Sequence, residues 1–148
     1  MKSAVSVVAA AVLLLAGCAS SSQSSGPDVA VHLQQVSGPP DVYYFAGPVN
    51  IQYRVSITNP TSDPLTLTRL DLQTFGPGAY SLRTEATPMN LKVPQNSAAS
   101  YLISVWGRAR GGFLNSTEPV TIRGTAYFRD EVTKKPFVRL FTENVMPA

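Results

Sequence analysis

The chain reads as an all-β protein: one antiparallel β-sandwich, immunoglobulin-like or fibronectin-III-like, of about seven to eight strands, behind a cleaved signal peptide and a flexible linker. Three observations predict this. Apolar and polar residues alternate with a period of two through two long stretches. Twelve prolines interrupt the 148 residues too often for long helices. Each apolar segment is short and bounded by turn residues, as in a two-layer sandwich.

The first alternating stretch is Val49 to Thr58. Val49, Ile51, Tyr53, Val55 and Ile57 share one face, and Asn50, Gln52, Arg54, Ser56 and Thr58 share the other. The second is Val120 to Arg129, where Val120, Ile122, Ala126 and Phe128 face inward and Thr121, Arg123, Thr125, Tyr127 and Arg129 face water. Gly124 falls on the inner side, which marks a bulge or the close approach of another element. The remaining strands are Val29 to Val36, Leu65 to Gln73, Tyr80 to Arg83, Asn90 to Val93, Ala99 to Trp106 and Phe137 to Thr142. Leu65 and Leu67 have one parity while Leu70 and Leu72 have the other, so a β-bulge is expected near Thr68 and Arg69. Trp106 reads as a core residue. The polar run Asp130 to Lys135 joins the last two strands as a hairpin.

The N-terminus has a different character. Lys2 supplies a positive end, an apolar run extends from Val5 to Leu15, and small residues follow, the anatomy of a secretory signal. The run is too short to span a bilayer, which takes roughly 20 apolar residues as a helix. The four residues Leu15-Ala16-Gly17-Cys18 close it. They resemble the lipobox of bacterial lipoproteins at all four positions. The resemblance implies cleavage between Gly17 and Cys18, a diacylglyceryl group on the Cys18 thiol and an acyl chain, such as palmitate, on its freed amine. Each buried methylene contributes about 0.8 kcal/mol, so several chains on one residue make a lasting anchor. Ala19 after the cysteine favours the outer membrane if the host is Gram-negative, with the domain facing the periplasm.

The expected organisation is therefore a signal peptide at 1–17, a lipidated cysteine with a flexible linker at 18–27, and one domain at 28–148. From Ala19 to Pro27 the chain is Ser, Gln, Gly and Pro with no apolar residue larger than Ala. A free coil of that length has a root-mean-square span of about 15–18 Å. Cys18 is the only cysteine, so the domain has no internal disulfide. The net charge of +3 falls by one when Lys2 is removed, too little for a nucleic-acid surface.

The strand Tyr53 to Thr58 followed by Asn59-Pro60, then Asp63-Pro64-Leu65-Thr66-Leu67 and Leu70-Asp71-Leu72, resembles the type 2 late embryogenesis abundant domain, also called the water-stress and hypersensitive-response domain. Val93-Pro94-Gln95-Asn96-Ser97 and Val120 to Phe128 with its central glycine are similar to later parts of that family. The likeness spans roughly Val29 to Val145. It implies a β-sandwich linked to stress or desiccation tolerance, with no shared catalytic residues.

No residue pattern points to catalysis, a metal or a cofactor. His32 is the only histidine and lies between Val31 and Leu33 in a strand, and the nine carboxylates are scattered, with only Asp130 and Glu131 adjacent, in a turn. Two segments read as interaction surfaces. One is the aromatic cluster Tyr43, Tyr44 and Phe45 between Pro40 and Gly47. The other is a basic loop after Trp106 with Arg108, Arg110, Gly111 and Gly112, suited to phosphates of lipid headgroups or an anionic partner. The resulting expectation is a non-enzymatic, lipid-anchored envelope protein with a binding or protective role. The alternative is an accessory subunit that docks onto a larger envelope assembly through an edge strand or the aromatic segment. Its partners are then the membrane, through Cys18, and an envelope protein.

Overall fold

The computed structural model describes residues 24–38, 46–83, 87–110 and 119–146. These contain eight strands: β1 (Ala30–Ser37), β2 (Ala46–Asn59), β3 (Leu65–Thr74), β4 (Tyr80–Ser81), β5 (Thr87–Val93), β6 (Ser97–Arg110), β7 (Val120–Asp130) and β8 (Pro136–Val145). They form two four-stranded antiparallel sheets, ordered β1-β2-β6-β4 and β5-β3-β7-β8, packed as a β-sandwich. All eight expected strands are present. β2, β5, β6 and β8 run several residues longer than expected, whereas β4 stops at Ser81.

Period-two alternation builds the core. Val49, Ile51, Tyr53, Val55 and Ile57 on β2 and Val120, Ile122, Ala126 and Phe128 on β7 are all buried. Phe128 stacks on its cross-strand partner Phe137, with ring centroids 5.3 Å apart. β2 tolerates Pro48 because the β1 ladder ends at the pair Ser37 and Gln52, which leaves Pro48 at a sheet edge on that side.

The bulge in β3 lies where the leucine parity changes. Its ladders to β5 and β7 both shift register between Leu67 and Arg69, so that Leu65, Leu67, Leu70 and Leu72 all reach the interior. Gly124 marks a close approach: a Cβ there would lie 2.0 Å from the Phe141 ring of β8. The ring covers the bare backbone, as aromatic side chains do over sheet glycines.

The hairpin between β7 and β8 is as expected. Asp130 N–H donates to Lys135 O (3.0 Å), and Asp130 Oδ1 accepts from the backbone of Val132 and Thr133. Lys134 supplies the left-handed residue, with φ of 60°. At the same end of the sandwich, buried Asn59 latches two loops. Its amide donates to Asp63 O and Pro94 O (2.9 and 3.0 Å), and its Oδ1 accepts from Thr61.

Three expectations need correction. Trp106 is not in the core: it is 64% exposed on the outer face of β6. The inner parity of that strand is held by Tyr101, Ile103 and Val105, each half-buried, and a strand without a bulge cannot turn both parities inward. Arg108 and Arg110 are not in a loop, because β6 continues through Arg110; they flank buried Ala109 on the outer face. The linker is not free along its whole length. Ser25 N–H donates to Val138 O (2.9 Å), while the Ser25 and Ser24 hydroxyls accept from the backbone of Val138 and Leu140 (3.1 and 3.0 Å). Gly26, with φ of +85°, lets the chain turn against Phe137, whose ring would leave no room for a Cβ.

The two sheets also meet along β1 and β8 through polar contacts. Arg139 Nε donates to Val29 O (3.2 Å) and its Nη2 to Asp28 (2.5 Å), and His32 Nδ1 lies 2.7 Å from Glu143 Oε1.

Candidate functional site

The outer face of the β5-β3-β7-β8 sheet carries an open depression of about 480 Å³, lined by Asp71, Gln73, Arg123, Gly124, Thr125, Leu140, Phe141 and Thr142. Three strands build it in register: Asp71 pairs with Thr125 and Thr125 with Leu140, while Gln73 pairs with Arg123 and Arg123 with Thr142. The phase shift at the β3 bulge sets which residues line it. With Leu70 and Leu72 turned inward, Arg69, Asp71 and Gln73 face out.

The charges of this face are tied down. Asp71 is almost fully buried and receives a two-point contact from Arg69, Nε to Oδ1 at 2.8 Å and Nη2 to Oδ2 at 2.6 Å. That contact raises the Arg69 pKa further above its ordinary value. Arg69 also lies over the Tyr127 ring, 4.8 Å from its centroid, and Arg123 lies 3.8 Å from the centroid of Phe75. The rim thus presents threonine hydroxyls, the Gln73 amide and one guanidinium, around the apolar surface of Leu140 and Phe141. Such a surface suits hydrogen bonding to a polar ligand or chain segment.

A second polar cluster lies inside the sandwich. Tyr80 donates to Gln35 Oε1 at 2.7 Å, and its oxygen in turn accepts from Tyr53, also at 2.7 Å. All three side chains are buried. Loss of hydration pushes the Tyr80 phenol up to about 12 and the Tyr53 phenol further, so both stay un-ionised at neutral pH. The chain Tyr53–Tyr80–Gln35 ties β2, β4 and β1 together and is structural.

Of the residues singled out by sequence, Gly17 and Cys18, and with them the signal peptide and the lipid anchor, lie outside the described residues, as do Tyr43, Tyr44 and Phe45 and the glycines Gly111 and Gly112. Arg108 and Arg110 lie on β6, in the sheet opposite to the depression. His32 is exposed and paired with Glu143. Asp130 and Glu131 organise the β7–β8 turn, where Glu131 accepts from Thr66 Oγ1 (2.6 Å), Arg129 Nη2 (2.9 Å) and Lys134 Nζ (3.0 Å). Among the described residues no three His, Cys, Asp or Glu side chains group as a metal site. Sequence reasoning missed the depression. Its signal was present in the outer parity of two strands, Asp71 and Gln73 on one and Arg123 and Thr125 on the other, but their adjacency depends on strand order, which a sequence does not state.

No family model and no curated protein matches the chain. Solved structures similar to it include the following three. A Northeast Structural Genomics Consortium target, SoR45, is 14% identical, with 78% of this chain and 84% of that one covered and a TM-score of 0.47. The putative ApaA protein from Bordetella pertussis is 19% identical, with 80% and 92% covered and a TM-score of 0.47. A protein from Archaeoglobus fulgidus is 10% identical, with 80% and 96% covered and a TM-score of 0.46. The fold assignment rests on the strand ladders themselves.

Proposed function

We propose that this protein is a lipid-anchored, non-enzymatic binding or protective module of the cell envelope, held at the membrane by acyl chains on Cys18. The observation that carries this reading is the placement of Leu15-Ala16-Gly17-Cys18 directly after an apolar run of signal-peptide length. The resemblance to the type 2 late embryogenesis abundant domain supports a protective role under stress.

The docking of Ser24 and Ser25 on β8 supports a close tether. Only the five residues 19–23 then lie between Cys18 and the docked serines, a length of chain that reaches at most about 18 Å. With acyl chains on Cys18, that reach would keep the domain close to the headgroups, and the depression on the β5-β3-β7-β8 sheet includes Leu140, whose backbone binds Ser24.

Fractionation of cells that express the full chain or Cys18→Ala tests the reading. The parent chain is expected in the membrane fraction, and globomycin is expected to cause the unprocessed precursor to accumulate. Unchanged membrane retention of Cys18→Ala would remove the anchor from the proposal.

A further inference from the structure

We propose that two copies of this chain pair through β6, antiparallel across a two-fold axis at Ser104, to form a continuous sheet. The starting point is the free side of β6. β6 is paired with β2 along its whole length, but on its other side β4 covers only Arg108 and Ala109. From Ser97 to Gly107 that side has no strand neighbour among the described residues.

The other edges of the sandwich are managed. Ser24 and Ser25 cover the β8 edge at Val138 and Leu140. Arg139 binds the Val29 carbonyl at the start of β1, and His32 pairs with Glu143 across the same seam. β5 is short and carries Pro88 and Lys92. Natural edge strands are protected by such charges, prolines and coverings. The run Ser97 to Gly107 contains no charge and no proline.

It also exposes apolar side chains on its outer face. Leu102 and Trp106, each 64% exposed, lie on the outer face. On the inner face Ile103 and Val105 are half-buried against the core and border a crevice lined by Leu70, Leu72 and Met89 with Arg83 and Thr87 at its rim.

The residue pattern selects a second copy as the occupant. Antiparallel pairing centred on Ser104 sets Leu102 beside the second copy's Trp106 and Trp106 beside its Leu102, so four exposed apolar side chains form one patch. The inner face pairs Ile103 with the second copy's Val105 in the same way. The strand segment this register uses, Tyr101 to Gly107, ends where β4 begins. Charge sets the direction: parallel, in-register pairing would stack Arg108 on Arg108 and Arg110 on Arg110, whereas the antiparallel register places Arg108 toward Ser100 and Arg110 toward Ala98. Such a contact is isologous and closes at two copies, so it does not grow into a fibre.

Cysteine cross-linking of the full-length protein in detergent or native membranes tests the inference. Residues directly opposite in an antiparallel pair have Cα atoms about 4.5–5.5 Å apart, within disulfide reach. Ser104→Cys is therefore expected to give a disulfide-linked dimer on oxidation. Ser100→Cys, about eight strand positions from its own symmetry mate and thus roughly 26 Å away, is not. The parent chain, with Cys18 alone, sets the background. In parallel, sedimentation of the parent chain is expected to give the mass of two polypeptides and Leu102→Lys that of one. Leu102 and Ser104 point to solvent, so neither change disturbs the core.

A parent chain of single mass without Ser104→Cys cross-links overturns the inference. So does a dimer that is indifferent to Leu102→Lys or cross-links equally at residue 100. Capture of a different protein at Ser104→Cys would reassign the edge to another partner. None of these outcomes depends on whether Cys18 carries lipid.

Discussion

The Tyr53 hydroxyl lies 2.7 Å from the Tyr80 hydroxyl in the dry interior of the sandwich, and Tyr80 gives its own proton to Gln35. Tyr80 is the middle of this relay, acting as donor and acceptor at once. Removing its hydroxyl strands both neighbours, and each buried group left unsatisfied costs roughly 1–3 kcal/mol. Tyr80→Phe is accordingly expected to lower the unfolding free energy by about 2–4 kcal/mol. Tyr53→Phe, at the end of the relay, should cost less. Urea unfolding of the two variants gives the order, and equal losses would contradict the relay.

The same two phenols set an alkaline limit. Their folded-state pKa values lie above the ordinary value of about 10, Tyr80 at about 12 and Tyr53 beyond it. The folded protein thus keeps protons that the unfolded chain releases. This contribution to stability is fully present below about pH 10 and is lost as pH rises through the folded values. Phenolate absorbance at pH 11 should show two of the six tyrosines silent in the folded protein, with their signal appearing on denaturation.

On the acid side, Glu131 is held at about 2, chiefly by its hydrogen bond from Thr66, then by Lys134 and Arg129. A depressed carboxyl stabilises the fold above its unfolded value, near 4.3, and that contribution disappears as pH falls toward 2. Thr66→Val should raise the Glu131 value toward the normal range and flatten the loss of stability between pH 4.5 and 2. A carboxyl titration by NMR on parent and variant reads the shift directly.

Gly124→Ala drives a methyl into the Phe141 ring, which lies 2.0 Å from the Cβ position. Overpacking of a fitted site costs about 1–3 kcal/mol, and a loss in that range is expected by thermal unfolding. Adding Phe141→Leu should recover part of it. A neutral Gly124→Ala would show that β8 moves aside freely.

Much of this fold is legible in the sequence because half-buried strands encode their faces by parity. Val49 to Ile57 and Val120 to Phe128 have one apolar parity, and their inward residues were assigned correctly. The leucine phase change located the bulge, since a strand must add a residue to keep both pairs inside. β6 is ambiguous by parity, because Leu102 and Trp106 are apolar on one side while Tyr101, Ile103 and Val105 are apolar on the other. Size favoured Trp106, but the larger set of inner positions decided the strand's orientation. The polar composition of Ser24 and Ser25 suggested a free linker; their hydroxyls and backbone instead bind the open edge of β8, a contact between residues more than 110 apart in sequence. The depression was invisible for the same reason, because Asp71, Arg123 and Thr142 meet only through the order of β3, β7 and β8.

Intact-mass spectrometry of the mature protein, extracted from membranes, tests the proposed anchor most directly. The expected species begins at Cys18 and carries a diacylglyceryl group on sulfur and an acyl chain on its amine. A polypeptide that keeps residues 1–17, or one with a free thiol at Cys18, would contradict it.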